Sequence, residues 1–285
     1  MHFFSSLTVD LTPRIVVAMN IRLRAALVVV FIAGACVTMY QYTTPTAIGA
    51  EAVEDVPVIG RPAQSLVGSL PGDLGLYVVR FFLSLVLLGV VPFIAAKSAG
   101  IRPGELGLKL PTWRGSGRLF VLLVAVGFAV GIGGAFDPAL SGIYPFSRTL
   151  VGEIAAGGWW LYPVHFFAYL ALYYLPWEFL FRGLLVALPV GVFRQFAEKG
   201  DTRPVPVEAL LIVASVQIVP SAILHVGHPF TETLGAVLFG IVAAYFAIKT
   251  GSILPGLILH GVIGLTLDTV VIIQAVAAGG LMHNA

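Results

Sequence analysis

Long apolar segments recur along almost the whole chain and constrain its fold more than any other feature. Seven of them reach the roughly 17 residues that a helix needs to cross the hydrocarbon core of a membrane. They lie near residues 22–42, 74–96, 117–136, 160–190, 207–227, 233–249 and 254–276. In lipid, only helices and closed barrels satisfy all backbone polar groups. The pattern therefore predicts an all-α fold, a polytopic transmembrane helix bundle of about seven spans.

The composition supports a membrane protein and excludes several other classes. Only 11% of the 285 residues are charged, against about 25% in a soluble domain, and 58% are hydrophobic. A net charge of +2, without any run of Lys and Arg, excludes a nucleic-acid partner. Because Cys36 is the only cysteine, neither an intramolecular disulfide framework nor a cysteine-ligated zinc site can form.

The charges of the loops predict the orientation in the membrane. Lys and Arg collect in cytoplasmic loops, and they stand here before the first segment and in every second loop after it, with Arg61 and Arg148 as exceptions. This pattern places the N-terminus inside and the C-terminus outside, as expected for a multi-pass protein of a bacterial inner membrane. Residues 1–72 would hold a leader over 1–18, the first span and an extracytoplasmic loop, and residues 73–285 the transmembrane core. Met1 and Met19 are alternative start residues.

The fourth segment is longer than a straight crossing needs and carries the clearest pair of charges. It either tilts or bends at Pro176, whose ring removes a backbone donor. Glu178 and Arg182 are four residues apart, so they share a helix face and can pair within one turn. A charge at membrane depth costs roughly 2.5–3.5 kcal/mol on insertion scales, so it is usually paired or functional. A structural ion pair and a functional site are the two alternatives.

Two histidines lie in or beside later apolar segments. His225 stands near the end of the fifth segment, just before Gly227, and His260 has apolar residues on both sides in the seventh. Taken alone, each is more often a hydrogen-bonded interface residue than a catalyst. Glu232 is a further candidate on chemical grounds, as is Asp268, which lies about 12 Å along the helix from His260.

Together, Glu178, Arg182, His225 and His260 offer the groups that peptide-bond hydrolysis needs. The reaction requires an activated water and donors for the oxyanion that forms. A Glu–His pair can activate the water, and a second histidine can donate to the oxyanion. Alternatively, Glu178, His225 and His260 would suit a divalent metal such as zinc with one open position. No metal is assigned, because the chain has no His-Glu-x-x-His motif.

Three motifs resemble those of one known family in order and spacing. They are Glu178-x-x-x-Arg182-Gly183, the segment around His225, and Lys249-Thr250-Gly251-Ser252-Ile253-Leu254-Pro255-Gly256 leading to His260. A further segment, Gly104-Glu105-Leu106-Gly107-Leu108, is similar in style. They resemble the CPBP family, also called the ABI family, which contains type II CAAX prenyl endopeptidases and bacteriocin-processing or bacteriocin-immunity proteins. The resemblance covers about residues 160–270.

The resemblance implies an intramembrane endopeptidase that cleaves a membrane-associated peptide or protein in the lipid bilayer, prenylated in the case of the CAAX enzymes. It implies a water activated by a glutamate and a histidine, and we assign Glu178 as the base, with His225 as its partner. His260 would be the oxyanion donor or a second ligand of the water, and Arg182 would hold Glu178 in place. The family is also described in part as metalloproteases, so zinc remains an alternative.

Two positions depart from the motifs of the family. Trp177 stands where the first of two adjacent glutamates usually provides the base, and Gly264 stands where the motif His-x-x-x-Asn has its asparagine. Either Glu178 serves as the base, helped by Glu232 or Asp268, or the chain is an inactive member that binds or shields a membrane partner. A third alternative is a proton-coupled carrier, although the chain lacks the inverted repeat typical of carriers.

A shared site also requires His225 and His260 to lie at similar depth. Seven straight spans would put His225 near the outer end of the fifth and His260 about 9 Å from the inner end of the seventh. The fifth span must therefore tilt, break or begin deeper if the two histidines are to meet.

Overall fold

The computed structural model describes residues 13–43, 60–113, 115–197 and 207–283. Its main helices are α1 Pro13–Thr43, α2 Gly60–Ser69, α3 Leu74–Ser98, α4 Gly117–Ala135, α5 Arg148–Ala155, α6 Leu161–Arg194, α7 Val207–Ala214, α8 Ile218–Ile223, α9 Phe230–Thr250 and α10 Leu254–His283. No strand occurs in these described ranges. Helices α1, α3, α4, α6, α9 and α10 are long and apolar enough to cross a membrane, which confirms the prediction of an all-α polytopic bundle.

Some of the predictions concern residues 1–72, which the structure describes only in part. Residues 1–12 of the predicted leader lie outside the described ranges, and α1 already begins at Pro13. The acidic residues of the predicted extracytoplasmic loop, between residues 51 and 55, also lie outside them. Part of that loop is helical, because α2 forms over Gly60–Ser69 and packs closely against the start of α3 at Gly75. The orientation in the membrane stays a prediction.

Helix α6 lies at the centre of the bundle, because 67% of the residues in its apolar stretch are buried. It continues through Pro176, and π-helical turns over Ala168–Tyr174 and Phe179–Ala187 flank this residue. A similar turn over Ser84–Val90 precedes Pro92 in α3. Proline cannot donate to the helical ladder, and wider turns allow the chain to continue without a break. The irregularity expected at Pro176 is therefore a change of helical pitch on both sides.

Helices α4 and α10 approach each other closely through small residues. A Cβ atom on Gly131 would lie 2.5 Å from the carbonyl oxygen of Ile263 and 2.8 Å from the Cβ of Thr266. Small residues at such interfaces let helix backbones come near enough for dispersion contacts to hold them in lipid. This contact fixes the position of α10, which carries His260 and Gly264.

The fifth predicted span is the exception, since it is a broken helix. A 3₁₀ turn at Ser215–Gln217 separates α7 from α8, and α8 ends at Ile223 in the turn that contains His225. The buried Gln217 side chain donates from Nε2 to the Gly240 carbonyl at 3.1 Å, which ties the break to α9. The break that a shared site requires is thus present.

Candidate active site

A cavity of about 580 Å³ opens between α4, α6, α9 and α10. Its lining is mainly apolar along α4 and α9, and its polar groups come from a small set of residues. These are Tyr144, Tyr173, Tyr174, Ser221, His225, Thr231, Glu232 and His260. Both predicted histidines therefore line one cavity, as the shared-site hypothesis requires.

Glu178 lies directly behind His260 and does not line the cavity. Its side chain is fully buried, and Oε1 is 2.9 Å from Nδ1 of His260, which donates to it as a hydrogen bond. Arg182 Nη1 is 3.2 Å from the same oxygen. That contact is an ion pair rather than an aligned hydrogen bond, since Nη1 has no partner with hydrogen-bond geometry among the described residues. The predicted pairing of Glu178 with Arg182 is present.

The Glu178 contact determines which nitrogen of His260 faces the cavity. With Nδ1 donating to the carboxylate, Nε2 of the neutral ring is left as an acceptor. The ring lies between Tyr174, at 4.2 Å between centroids, and Phe239, at 4.9 Å. His260 is 24% exposed in its side chain, while Glu178 and Arg182 are enclosed. His260 is thus the member of this group that can reach a substrate.

The motif before His260 has a steric function that the structure explains. A Cβ atom on Gly256 would stand 2.5 Å from Oε2 of Glu178, so only glycine admits the carboxylate here. The turn before α10 is held by the loop after α3, because Ile253 N–H donates to the Gly107 carbonyl at 3.1 Å. The Ser252 hydroxyl donates to the Lys109 carbonyl at 2.5 Å. The two motifs thus fix the start of α10 against Glu178.

His225 contacts Trp177 rather than Glu178. Its Nδ1 is 2.7 Å from the Ser221 carbonyl and donates to it, which leaves Nε2 as an acceptor. The indole of Trp177 meets the imidazole at 80°, with 5.7 Å between centroids. No contact joins His225 to Glu178 within the part of the chain that the structure describes. The histidine that contacts Glu178 is therefore His260, whereas the sequence-based hypothesis gave this role to His225.

Glu232 belongs to a polar group at the edge of the cavity. Its Oε1 accepts from the Tyr144 hydroxyl at 2.6 Å and lies 2.9 Å from Nδ1 of His228. Burial raises the pKa of Tyr144 well above its usual value, and the neighbouring Glu232 raises it further. Tyr144 therefore stays protonated and donates to this carboxylate. Glu232 lines the cavity as a residue of this separate group, without contacting His260.

Asp268 lies in a different hydrogen-bonded group, away from the cavity lining. Its Oδ2 is 3.1 Å from Nε2 of His165, and Nδ1 of His165 is 2.9 Å from the Tyr77 hydroxyl. Both Asp268 and His165 are 1% exposed. Sequence reasoning missed His165 and Tyr77. A lone histidine among the aromatic residues 162–169 was the available signal.

The two departures from the motifs have different surroundings. Trp177 lines the cavity and packs against Phe181 at 4.9 Å between ring centroids. Gly264 faces Tyr174, whose hydroxyl occupies the space that a Cβ at position 264 would need. The Tyr174 hydroxyl makes no hydrogen bond with the described residues, and it lines the cavity beside His260. A hydroxyl from α6 therefore stands where an amide on α10 was expected.

Glu178, His225 and His260 do not form a ready set of metal ligands. His260 and Arg182 both hold Oε1 of Glu178, and the guanidinium would repel a cation at this oxygen. No group of three or more His, Cys, Asp or Glu among the described residues is arranged to hold a metal ion. The donor set therefore does not fit the zinc alternative.

These observations define a class: a helical membrane protein that has a buried Glu–His pair at the wall of an apolar cavity. Residues 158–266 match the sequence model of one family, Type II CAAX prenyl endopeptidase Rce1-like. The match includes Glu178, Arg182, His225 and His260, and it confirms the relationship to the CPBP family of CAAX proteases. No curated protein and no solved structure matches the chain. This family of membrane-embedded proteases supports a peptidase with a membrane-associated substrate.

Proposed function

We propose that the protein is an intramembrane endopeptidase in which His260 is the general base and Glu178 its positioning carboxylate. The observation that carries the proposal is the 2.9 Å contact from His260 Nδ1 to a carboxylate that is itself fully buried. A buried carboxylate on one imidazole nitrogen fixes the tautomer and stabilises the imidazolium that forms when the other nitrogen takes a proton. This assigns the base to His260, whereas the hypothesis from the sequence assigns it to Glu178.

The proposed reaction uses water as the nucleophile. His260 Nε2 takes a proton from the water as its oxygen bonds to the scissile carbonyl carbon. His225 Nε2 accepts a hydrogen bond from the same water and orients it, because its own Nδ1 donates to Ser221. The imidazolium of His260 then gives its proton to the leaving nitrogen as the C–N bond breaks.

Tyr174 is the proposed donor to the oxyanion. Its hydroxyl lies beside the His260 ring in the cavity and is not engaged by the described residues. A donor directed at the developing oxyanion is worth roughly 10²–10³ in kcat. The phenol would thus replace the asparagine amide that Gly264 cannot provide.

The shape of the cavity supports a lipid-linked or strongly apolar peptide as the substrate. Its volume of about 580 Å³ is within the range of small-molecule sites, and its walls on α4 and α9 are apolar. A prenyl chain or a run of apolar side chains would remove these walls from lipid or water. The bacterial inner membrane is the proposed location.

The test is cleavage of a fluorogenic membrane peptide by the purified protein in nanodiscs. Glu178→Gln and His260→Gln should each lower kcat by about 10²–10⁴, as expected for loss of general-base catalysis. The matched control is Glu153→Gln, which changes an exposed carboxylate and should leave kcat unchanged. Full activity in both site variants would contradict the mechanism. Peptide binding without cleavage by the wild type would instead support a binding or immunity protein.

A further inference from the structure

Three cationic residues converge on the end of α9. Lys109 comes from the loop after α3, Arg194 is the last residue of α6, and Lys249 lies in the last turn of α9 itself. A Cβ atom on Gly251, directly after the helix, would lie 3.1 Å from Nζ of Lys109. Arg194 donates from Nη2 to the Ile248 carbonyl at 3.4 Å. Residues from three different elements therefore meet within about one turn of helix.

The end of the helix does not neutralise these cations. A helix C-terminus carries the equivalent of roughly half a negative charge, whereas the three side chains each carry a full positive charge. None of them forms an ion pair with a carboxylate in the part of the chain that the structure describes. Glu105, in the same loop as Lys109, pairs with Arg102 at 3.4 Å instead. Most of the positive charge is therefore left for a ligand.

The loop after α3 also presents apolar side chains beside the cations. Leu110 is 82% exposed and Trp113 is 38% exposed. The loop is held in place, because Thr112 N–H donates to the Thr250 carbonyl at 3.0 Å. The indole of Trp113 packs against Phe120 at 4.7 Å between ring centroids. Tryptophan is enriched at the level of the lipid headgroups, so this loop has the character of a segment at the membrane surface.

We propose that Lys109, Arg194 and Lys249 bind the phosphate group of an anionic phospholipid. A lipid phosphate offers a negative charge and acceptor oxygens to one guanidinium and two ammonium groups. Leu110 and Trp113 would contact the acyl chains of the same lipid, which a free phosphate ion lacks. The charges of the loops predict that this end faces the cytoplasm, where anionic lipids give the leaflet its negative surface potential.

A lipid bound here would hold together three elements that position the candidate active site. Helix α6 carries Glu178 and ends at Arg194, and the loop after α3 fixes the turn between α9 and α10 through the Ile253 N–H. His260 lies six residues after Leu254, the first residue of α10, or about 9 Å along the helix. Binding should therefore stabilise the fold around the site, and it does not depend on whether the protein cleaves peptides.

The experiment measures lipid binding and thermal unfolding of the whole protein in nanodiscs. Phosphatidylcholine nanodiscs contain increasing fractions of phosphatidylglycerol, and native mass spectrometry counts the lipids that the protein retains. The wild type should retain phosphatidylglycerol in preference to phosphatidylcholine, and its Tm should rise with the anionic fraction. Each cation near an anionic surface is worth about fivefold in binding. The triple variant Lys109→Gln, Arg194→Gln, Lys249→Gln should therefore bind phosphatidylglycerol roughly a hundredfold more weakly.

The matched control removes the same number of positive charges from the same end of the molecule. It combines Lys97→Gln at the end of α3, Arg102→Gln in the following loop and Arg118→Gln at the start of α4, and it should keep the preference for phosphatidylglycerol.

Three outcomes would overturn the inference. Equal retention of both lipids by the wild type would show that there is no anionic-lipid site, and this comparison does not depend on the folding of any variant. An equal loss in both triple variants would indicate a general attraction between charges. Inorganic phosphate that raises the Tm in phosphatidylcholine nanodiscs as much as phosphatidylglycerol does would indicate a site for the free ion instead of a lipid.

Discussion

The Tyr174 hydroxyl and Gly264 occupy one space, because a Cβ atom at position 264 would overlap the phenol oxygen. Gly264 lies one helical turn after His260, and the ring of Tyr174 packs against that histidine at 4.2 Å between centroids. The glycine is therefore what allows α6 to bring a hydroxyl to this place. The absence of an asparagine at position 264 and the presence of the Tyr174 hydroxyl beside His260 therefore depend on each other.

Replacing Tyr174 by phenylalanine should lower kcat by roughly 10²–10³, the usual effect of losing one oxyanion donor. The ring remains, so its packing on His260 and the KM should change little. The measurement is steady-state cleavage together with thermal unfolding. A Tyr174→Phe protein with full kcat would show that the hydroxyl is not the donor.

The reciprocal exchange tests the same space. Gly264→Asn alone should inactivate and destabilise the protein, since the new side chain overlaps Tyr174. Combined with Tyr174→Ala, the same asparagine has room and should restore part of the kcat that Tyr174→Ala loses. A double variant no better than Tyr174→Ala would contradict an exchange of roles.

Gly256→Ala should lower kcat more than tenfold, by a displacement of Glu178. The added methyl group would lie 2.5 Å from Oε2, and Oε1 is already held by His260 and Arg182, so the carboxylate must move away from His260. Even a displacement of about 1 Å can cost 10²-fold in rate. The matched control is Gly133→Ala on α4, where a Cβ meets no atom within 4 Å. Equal activity in both variants would show that Glu178 does not need its present position.

The sequence predicts those parts of the fold that follow from the need to bury apolar segments in lipid. Apolar runs of span length and the spacing of Glu178 and Arg182 are local features, so the helices and this ion pair could be read directly. The sequence predicts one helix for the fifth span, because an apolar run does not show a break such as Ser215–Gln217. Apolar composition determines that a segment is buried, but not where its helix is interrupted.

The site was predictable only in its motif residues. His260 contacts a carboxylate 82 positions away, and no periodicity indicates which residue supplies it. Tyr174 was missed for a related reason. An aromatic residue in an apolar run is ordinarily part of the core.

Asp268→Asn should destabilise the protein without lowering kcat per folded molecule. Asp268 pairs with His165 away from the cavity lining, so its loss weakens a buried hydrogen bond to a histidine, worth about 1–3 kcal/mol in the free energy of unfolding. Unfolding curves and active-site-normalised kcat give the two values. A double variant with His165→Asn should be less destabilised than the sum of the single changes, because the two residues interact directly. A large fall in kcat with unchanged stability would instead place Asp268 in the chemistry, as its candidacy from sequence implied.

Chelators should leave the activity unchanged. A catalytic zinc would need Glu178, His225 and His260 as ligands with one open position, whereas Oε1 of Glu178 is held by His260 at 2.9 Å and by Arg182 at 3.2 Å. A metal bound at Oε1 would break both contacts, and it would lie beside the Arg182 guanidinium. The measurement is kcat before and after exhaustive treatment with 1,10-phenanthroline, with zinc content determined on the same samples. Activity that disappears with the metal and returns with added zinc would contradict the His260 mechanism. Retained activity in metal-free protein would support a base that acts through Glu178 and His260 alone.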